Sequence, residues 1–242
     1  MVAINMLTLL ATHSQPSFFR QINAGVVSHF PAIAYCHVVF DEPLYQDALF
    51  GENAIPFPAE LEKTALKRRA EYLAVRYAAR QLLQDAGCAG YVGTAASRAP
   101  VWPTGWRGSL SHTASHAIAI ITPDNTGLTP GIDIEMLAPE TMRETADIFT
   151  DAEEQSLLAS CGIPYETALL ITFSVKESMF KALYPEVGCF FGFDAARVCA
   201  IEPATQCITL ELTQSLTPMR KSGHRIRGYY LLQADRVITL VA

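Results

Sequence analysis

The sequence predicts an α+β protein made of two halves, each with a long helix and strands that pair mainly antiparallel. Half of its 242 residues are hydrophobic, which is sufficient for a sizeable buried core. A turn-rich run, residues 123–130, contains Gly127 and two prolines and divides the chain nearly in the middle. On each side of it, helical periodicity alternates with β-branched apolar runs.

In the first half, the clearest helix is predicted from Ala59 to Ala86, ended by Gly87. Ala32–Phe40 is apolar and β-branched, as in a strand. Ser109–Thr122 alternates at first and then becomes continuously apolar, which predicts a strand that enters a core. The core stripe of the helix is expected at Leu66, Ala70, Leu73 and Tyr77.

The second half opens with a short strand, Gly131–Leu137. Thr150 to Glu153 matches a capping box, so a helix is predicted from there to about Ser160. A second helix covers Tyr165–Tyr184 and is expected to stop before Pro185. Four strands complete the half, near Ala196–Ile201, Cys207–Leu212, Arg225–Leu232 and Arg236–Val241.

Composition and charge exclude several classes of protein. The net charge of −6 argues against a nucleic-acid binder. No apolar run reaches the ~20 residues that a membrane span needs. Met1–Ala11 is apolar but lacks a basic residue in front of it, so it is interpreted as a buried strand or helix end rather than a secretion signal.

The six cysteines form no C-x-x-C pair and have no zinc-ligand spacing. They are interpreted as buried or incidental thiols in a reducing compartment. We therefore expect a cytoplasmic protein.

Charge is distributed unevenly between the two halves. Residues 1–126 contain nine basic and nine acidic residues, whereas residues 127–242 contain nine basic and fifteen acidic ones. We assign these ranges as the N-terminal and C-terminal halves. A neutral half with clustered arginines joined to an acidic half suits an anionic ligand and a cation that share one site.

The first motif with chemical potential is Gly131-Ile-Asp-Ile-Glu135. On a strand, Asp133 and Glu135 point to one face, and Ile132 and Ile134 point to the other, toward the core. Neighbouring carboxylates repel each other, and a hard cation with oxygen ligands would relieve this repulsion. The alternative is a half-exposed strand with two solvated acids.

The second motif is Phe173-Ser-Val-Lys-Glu-Ser-Met-Phe-Lys181. On a helix, Glu177 and Lys181 are i,i+4 neighbours, and Lys176 lies at the edge of the same face. An ordinary surface salt pair is the simpler interpretation. The apolar residues around the motif predict a buried helix instead, where a carboxylate must be paired or coordinated.

Basic residues cluster in the first half. Arg69, Arg76 and Arg80 lie within about 40° of one another on an ideal helix. Arginine suits phosphate because its guanidinium presents several fixed donors, although a solvated basic face is an equal alternative. A fourth region, with Arg98, Ser111 and His112 between prolines and glycines, offers further donors.

Taken in order, these four elements resemble the 4′-phosphopantetheinyl transferases of the Sfp-like group, of the enterobactin-synthase component D type. The resemblance covers Lys67 to the C-terminus and is carried by KRRAEYLAVR, PVWPTGWRGSLSHT, GIDIE and FSVKESMFKA. It implies two similar α/β halves related by pseudo-two-fold symmetry, each a mostly antiparallel sheet packed on a long helix.

The resemblance also implies roles for the acidic half. Asp133, Glu135 and Glu177 match the residues that hold Mg²⁺ in this family. Lys181 matches the lysine that binds the coenzyme A pyrophosphate, and Lys176 is a weaker candidate for the same role. Glu177 and Lys181 are thus the expected catalytic residues.

In the first half, Ser111 and His112 match a serine–histidine pair that contacts the 3′-phosphate of coenzyme A. Arg69, Arg76 and Arg98 match basic positions that bind its phosphates. Two positions depart from the family pattern. Phe173 replaces a tryptophan and keeps an aromatic packing role, and Val75 replaces a glycine on the arginine helix.

The implied reaction transfers 4′-phosphopantetheine from coenzyme A to a serine of an apo carrier domain of a peptide synthetase, for siderophore synthesis, and releases adenosine 3′,5′-bisphosphate. We expect a monomer with Mg²⁺ as cofactor, and no nucleic-acid partner. Two alternatives stay open. One is a metal-dependent nucleotide or phosphoester hydrolase, and the other is a non-catalytic nucleotide-binding or assembly module.

Overall fold

The computed structural model describes residues 5–242. Their contacts divide into two compact units: Leu7–Pro130, and Gly131–Ala242 together with residues 5 and 6. Both units are a five-stranded antiparallel sheet with a long helix on one face. The predicted α+β class is confirmed.

The elements of the N-terminal unit follow one another as β1 (Leu7–Ser14), β2 (Phe19–Val27), β3 (Phe30–Phe40), α1 (Ala48–Glu52), α2 (Leu66–Asp85), β4 (Gly93–Thr94), β5 (Pro100–Val101), β6 (Trp106–Thr113) and β7 (His116–Pro123). The sheet order is β1-β2-β3-β7-β6, and β4 pairs with β5 in a separate hairpin. Helix α2 covers the sheet because its inner face is small and apolar. Ala70, Leu73 and Ala74 are fully buried there, and small residues allow a helix to approach a sheet closely.

Four predictions for this unit need correction. Leu66 is not part of the core stripe but is exposed at the first position of α2. The long helix does not begin at Ala59: Ala59–Leu61 forms a 3₁₀ turn, and the backbone is extended at Ala65 before α2 starts. Ser109–Thr122 is not one strand but most of the β6–β7 hairpin. Of Met1–Ala11, residues 1–4 lie outside the described range, and β1 is exposed beyond Leu7 because it is an edge strand.

The C-terminal unit contains β8 (Gly131–Met136), α3 (Pro139–Phe149), α4 (Ala152–Ser160), α5 (Tyr165–Val187), β9 (Ala196–Glu202), β10 (Cys207–Leu212), β11 (Arg225–Leu232) and β12 (Arg236–Val241). The sheet order is β8-β12-β11-β10-β9, with every neighbouring pair antiparallel. The predicted strands agree with these to within one residue at each end.

Two helix boundaries differ from the prediction. The capping box is formed by Asp151 and Glu154, one residue later than expected. Helix α5 continues through Pro185 to Val187 and ends at Gly188, whose left-handed backbone closes the last turn. Pro185 is tolerated because it falls in that last turn, where only one backbone hydrogen bond is lost. No helix within residues 5–242 is long and apolar enough to cross a membrane.

Candidate active site

Strand β8 presents its two acidic side chains to one face, as the alternation predicts. Ile132 and Ile134 are completely buried on the opposite face. Asp133 is only 2% exposed, and Glu135 is half-buried. A carboxylate at this depth requires hydrogen-bonding or charged partners.

Helix α5 supplies those partners for Asp133. Nζ of Lys181 donates to Oδ1 of Asp133 at 2.7 Å and to the carbonyl of Ile132 at 3.1 Å. Oγ of Ser174 donates to the other carboxylate oxygen, Oδ2, also at 2.7 Å. Ser174 and Lys181 are seven residues apart, which places them on the same face of the helix.

The first glycine of the acidic motif allows this close packing. A Cβ at Gly131 would lie 1.9 Å from the carbonyl oxygen of Ser178 and 2.6 Å from the amide nitrogen of Ala182. The backbone of α5 therefore passes so close to β8 that only glycine fits. This explains why a glycine begins the motif and why the α5 side chains nearest to it are small.

The three predicted metal ligands interact electrostatically. Burial, reinforced by the charges of Asp133 and Glu177, raises the pKa of Glu135 to about 7, although Lys181 opposes the change. Burial likewise raises the pKa of Glu177, with Lys181 lowering it and Asp133 raising it further. Three carboxylates thus share a partly buried region with one lysine acting on them.

This donor set fits a hard divalent cation by its chemistry. Carboxylate oxygens are the ligands that such ions prefer, and a cation would neutralise their mutual repulsion. The three carboxylates do not converge on one point in this structure. Between residues 5 and 242, no three His, Cys, Asp or Glu side chains are arranged to hold a metal ion. Lys181 instead contacts Asp133.

Lys176 lies apart from this group. Its ammonium donates to the carbonyl of Phe149 at 2.7 Å and lies 2.8 Å from a carboxylate oxygen of Glu154. Both charged side chains are almost completely buried, at 2% and 3% exposure. Burial lowers the pKa of Lys176, and Glu154 opposes that change. These contacts join α4 to α5 rather than bringing a cation to Asp133.

Among the predicted basic residues, Arg69 is held by its own unit. Its guanidinium donates to the carbonyls of Leu61 and Glu62, and to Oδ2 of Asp47 at 3.0 Å. It therefore fastens the segment before α2 to the helix. A phosphate would have to displace these contacts to reach it.

Arg76 and Arg98 are both associated with the β4–β5 hairpin. Nη2 of Arg76 donates to the carbonyl of Gly93 and to Oγ1 of Thr94, at 3.1 and 2.8 Å, and its guanidinium stacks on the ring of Tyr72. Its buried Nε has no hydrogen-bond partner among residues 5–242. Arg98 lies exposed at the tip of the hairpin with a left-handed backbone, φ 68°.

Ser111 and His112 point to opposite faces of β6. Ser111 is buried, whereas His112 lies beside α2, with its Nε2 2.8 Å from Nη1 of Arg68. Guanidinium can only donate, so Nε2 accepts and the ring proton belongs on Nδ1. That nitrogen lies 3.6 Å from Oε2 of Glu71.

Glu71 is a further residue of this region that the sequence motifs did not identify. Its position three residues after Arg68 indicates a helical ion pair, which the structure shows at 3.9 Å. Only the packing of β6 against α2 reveals that His112 joins the pair. Phe173, in contrast, has the aromatic packing role predicted for it, between Phe149 and Phe193.

Each of the two units matches a known protein family. Residues 57–122 match the 4′-phosphopantetheinyl transferase N-terminal domain, and residues 129–241 match the 4′-phosphopantetheinyl transferase superfamily. The chain belongs to this superfamily, and it is a phosphopantetheinyl transferase. The resemblance seen in the four sequence motifs is thereby confirmed.

Within the family, the chain is similar to enterobactin synthase component D. It is 34% identical to that protein of Salmonella typhi over 224 residues, which cover 90% of this chain and 91% of the relative. Identity to the same protein of Escherichia coli K12 is 37% over 66% and 71% of the two chains. The 4′-phosphopantetheinyl transferase PptT of Mycobacterium tuberculosis is 26% identical, over 72% and 76%.

Proposed function

We propose that the enzyme transfers 4′-phosphopantetheine from coenzyme A to a serine of an apo carrier domain, with Mg²⁺ as the cofactor. The similarity to enterobactin synthase component D favours carrier domains of a siderophore-producing peptide synthetase. The proposed enzyme is a monomer in the cytoplasm, and a reducing compartment agrees with its six free cysteines.

One observation carries the chemical part of the proposal. Three carboxylates on β8 and α5 share one ammonium group, and burial and repulsion raise the pKa of two of them. A diphosphate brings further negative charge, so binding there requires a cation. Asp133, Glu135 and Glu177 are the side chains that would hold a divalent ion, which supplies charge neutralisation on the pyrophosphate when bound.

In the proposed reaction, the serine Oγ attacks the β-phosphorus of coenzyme A. The bond from that phosphorus to the bridging oxygen breaks, and its electron pair leaves on adenosine 3′,5′-bisphosphate. Lys181 stabilises the developing charge on the leaving oxygen. Glu177, or a water bound at the site, accepts the proton of the serine.

The adenosine phosphates are bound, in this proposal, by the N-terminal unit. Arg76 has a buried donor without a partner in the described residues, and Arg98 is exposed on the same hairpin. Glu71 and Arg68 hold the ring of His112 in one tautomer and orientation. Arg69 and Ser111 are retained as weaker predictions, because the first is already hydrogen-bonded and the second is buried.

The direct test incubates the enzyme with coenzyme A, Mg²⁺ and a panel of apo carrier domains, followed by mass spectrometry of the intact carriers. A carrier that gains the phosphopantetheine mass supports the proposal. Breakdown of coenzyme A with no modified carrier would instead establish the hydrolase alternative. Binding of coenzyme A without either product would indicate a non-catalytic module.

Removal of a site carboxylate should abolish the transfer. Asp133→Ala and Glu177→Ala are each expected to lose at least about 100-fold in kcat, since each removes a group that acts on the transition-state charge. Glu202→Ala is the matched control, because this exposed carboxylate lies on β9, at the opposite edge of the same sheet. Transfer within tenfold of the parent in both site variants would refute the assignment.

A further inference from the structure

Ser174 lies inside the second sequence motif but has no role in the proposal above. Its hydroxyl is fully buried between α5 and the sheet, as are those of Thr239 and Ser178. Thr239 is the direct cross-strand neighbour of Asp133 in the β8–β12 pairing. These three hydroxyls form a connected group behind the Asp133 carboxylate.

The hydrogen bonds of this group have a defined direction. Ser174 donates to Oδ2 of Asp133 at 2.7 Å, and this contact uses the single proton of its hydroxyl. The contact between Ser174 and Thr239 at 2.9 Å then requires Thr239 to donate. Oγ of Ser178 also lies 2.7 Å from Oγ1 of Thr239, but Ser178 donates to the main-chain carbonyl of Thr239 at 3.0 Å. The protons of Ser174 and Thr239 are therefore the two directed toward Asp133.

This arrangement orients the carboxylate. With Oδ2 fixed by Ser174, Oδ1 is turned toward Lys181, which it contacts at 2.7 Å. Hydrogen bonds in series polarise one another in a buried environment, which strengthens the final one. The Asp133 carboxylate is thus held in one orientation by Ser174 and Lys181.

We infer that Ser174, supported by Thr239, is a positioning residue for the reaction and acts only through Asp133. This inference rests on the proposed function, because it assigns Asp133 to the reacting site. Partners that orient a metal-ligating carboxylate typically contribute 10–100-fold to affinity or activity.

The test compares Ser174→Ala with Ser178→Ala. Both variants remove an equally buried hydroxyl from the same face of α5, but only Ser174 contacts Asp133. We expect similar losses in melting temperature. Ser174→Ala should lose about 10–100-fold in kcat with the KM for coenzyme A nearly unchanged, whereas Ser178→Ala should stay within about threefold of the parent in both.

A second readout is independent of turnover. Calorimetric titration of each protein with Mn²⁺ alone should show about 10–100-fold weaker binding for Ser174→Ala and parental binding for Ser178→Ala. Thr239→Val, compared with Thr239→Ser, repeats the test at nearly constant volume should Ser174→Ala not fold. The valine variant is expected to show the defect and the serine variant is not.

The outcomes separate the two hypotheses. Equal kcat and equal Mn²⁺ binding in the Ser174 and Ser178 variants of an active parent would overturn the positioning role alone. A parent that neither modifies a carrier nor binds Mn²⁺ would overturn the proposed function, and this inference with it.

Discussion

The two units place the same kind of helix on the same kind of sheet, but what lies between helix and sheet differs. Under α2, the contact is made by Ala70, Leu73 and Ala74. Under α5, the side chain of Asp133 and three hydroxyls are buried next to the hydrophobic core. Arg69 and Arg76 on α2 are held by main-chain carbonyls outside the helix, and Arg69 also by the exposed Asp47.

This difference shows how one architecture can serve two tasks. An apolar contact positions the helix and leaves its edges for arginine side chains, which the proposed function assigns to phosphate binding. A polar contact inside the structure fixes individual atoms, because each donor must meet its acceptor. We therefore expect substitutions of the groups that contact Asp133 to lower both stability and turnover. Substitutions of arginines in the N-terminal unit should instead weaken coenzyme A binding with little loss of stability.

The largest effect is expected for the buried pair of Lys176 and Glu154. Lys176→Met leaves an uncompensated carboxylate in the core and should lower the free energy of unfolding by about 3–5 kcal/mol, measured by chemical denaturation. The same experiment on Asp47→Asn, which breaks the more exposed pair with Arg69, should cost less than about 1 kcal/mol.

The double variant Lys176→Met with Glu154→Met decides what Lys176 does. It replaces the pair by apolar groups and should recover most of the stability. If transfer recovers as well, Lys176 acts through folding. A persistent rise in the KM for coenzyme A in the stable double variant would instead support the predicted contact with the pyrophosphate.

The second largest effect is expected for Gly131, where the backbones of α5 and β8 lie close together. Gly131→Ala must push the helix outward, because its Cβ would meet helix backbone. We expect a loss of about 1–3 kcal/mol in unfolding free energy and a larger loss of kcat than that destabilisation explains. Gly51→Ala in α1 has open space around it and is the control. A fully active Gly131→Ala enzyme would contradict the need for this spacing.

The smallest effect is expected for Arg98 in the N-terminal unit, where the substitution should increase stability rather than lower it. A non-glycine residue in the left-handed region costs about 1–2 kcal/mol, so Arg98→Gly should raise the melting temperature slightly while it weakens coenzyme A binding. Gln206→Gly is matched to it, because Gln206 has φ 54° in the other unit and should gain stability without loss of affinity. Unchanged binding in Arg98→Gly would remove Arg98 from the site.

The sequence predicted most strands of the C-terminal unit because their apolar alternation is local information. It also predicted that Asp133 and Glu135 share a face, since that follows from strand geometry alone. The start of α2 was misplaced because Ala59–Leu61 is itself helical, as a 3₁₀ turn, and the extended backbone at Ala65 separates that turn from α2.

Contacts between residues that are distant in the chain could not be predicted from the sequence. Lys176 and Glu177 are neighbours in the same motif. Only the packing of α4 against α5 shows that the ammonium of Lys176 contacts Glu154. Ser174 reaches Asp133, and Glu71 reaches His112, through the register of sheet strands and the approach of a helix. Such contacts depend on tertiary packing, which single-sequence periodicity does not encode.

The close packing at Gly131 also limits which residues the facing side of α5 can accept during evolution. Ser174, Ser178 and Ala182 recur every four residues and form a narrow strip of small volume, two of whose members lie against Gly131. A larger residue in that strip would have no room unless the strand retreated. Across the superfamily, the residue sizes at these three positions and at the glycine should therefore covary. The covariation would reflect how closely the helix packs against the strand in each homologue.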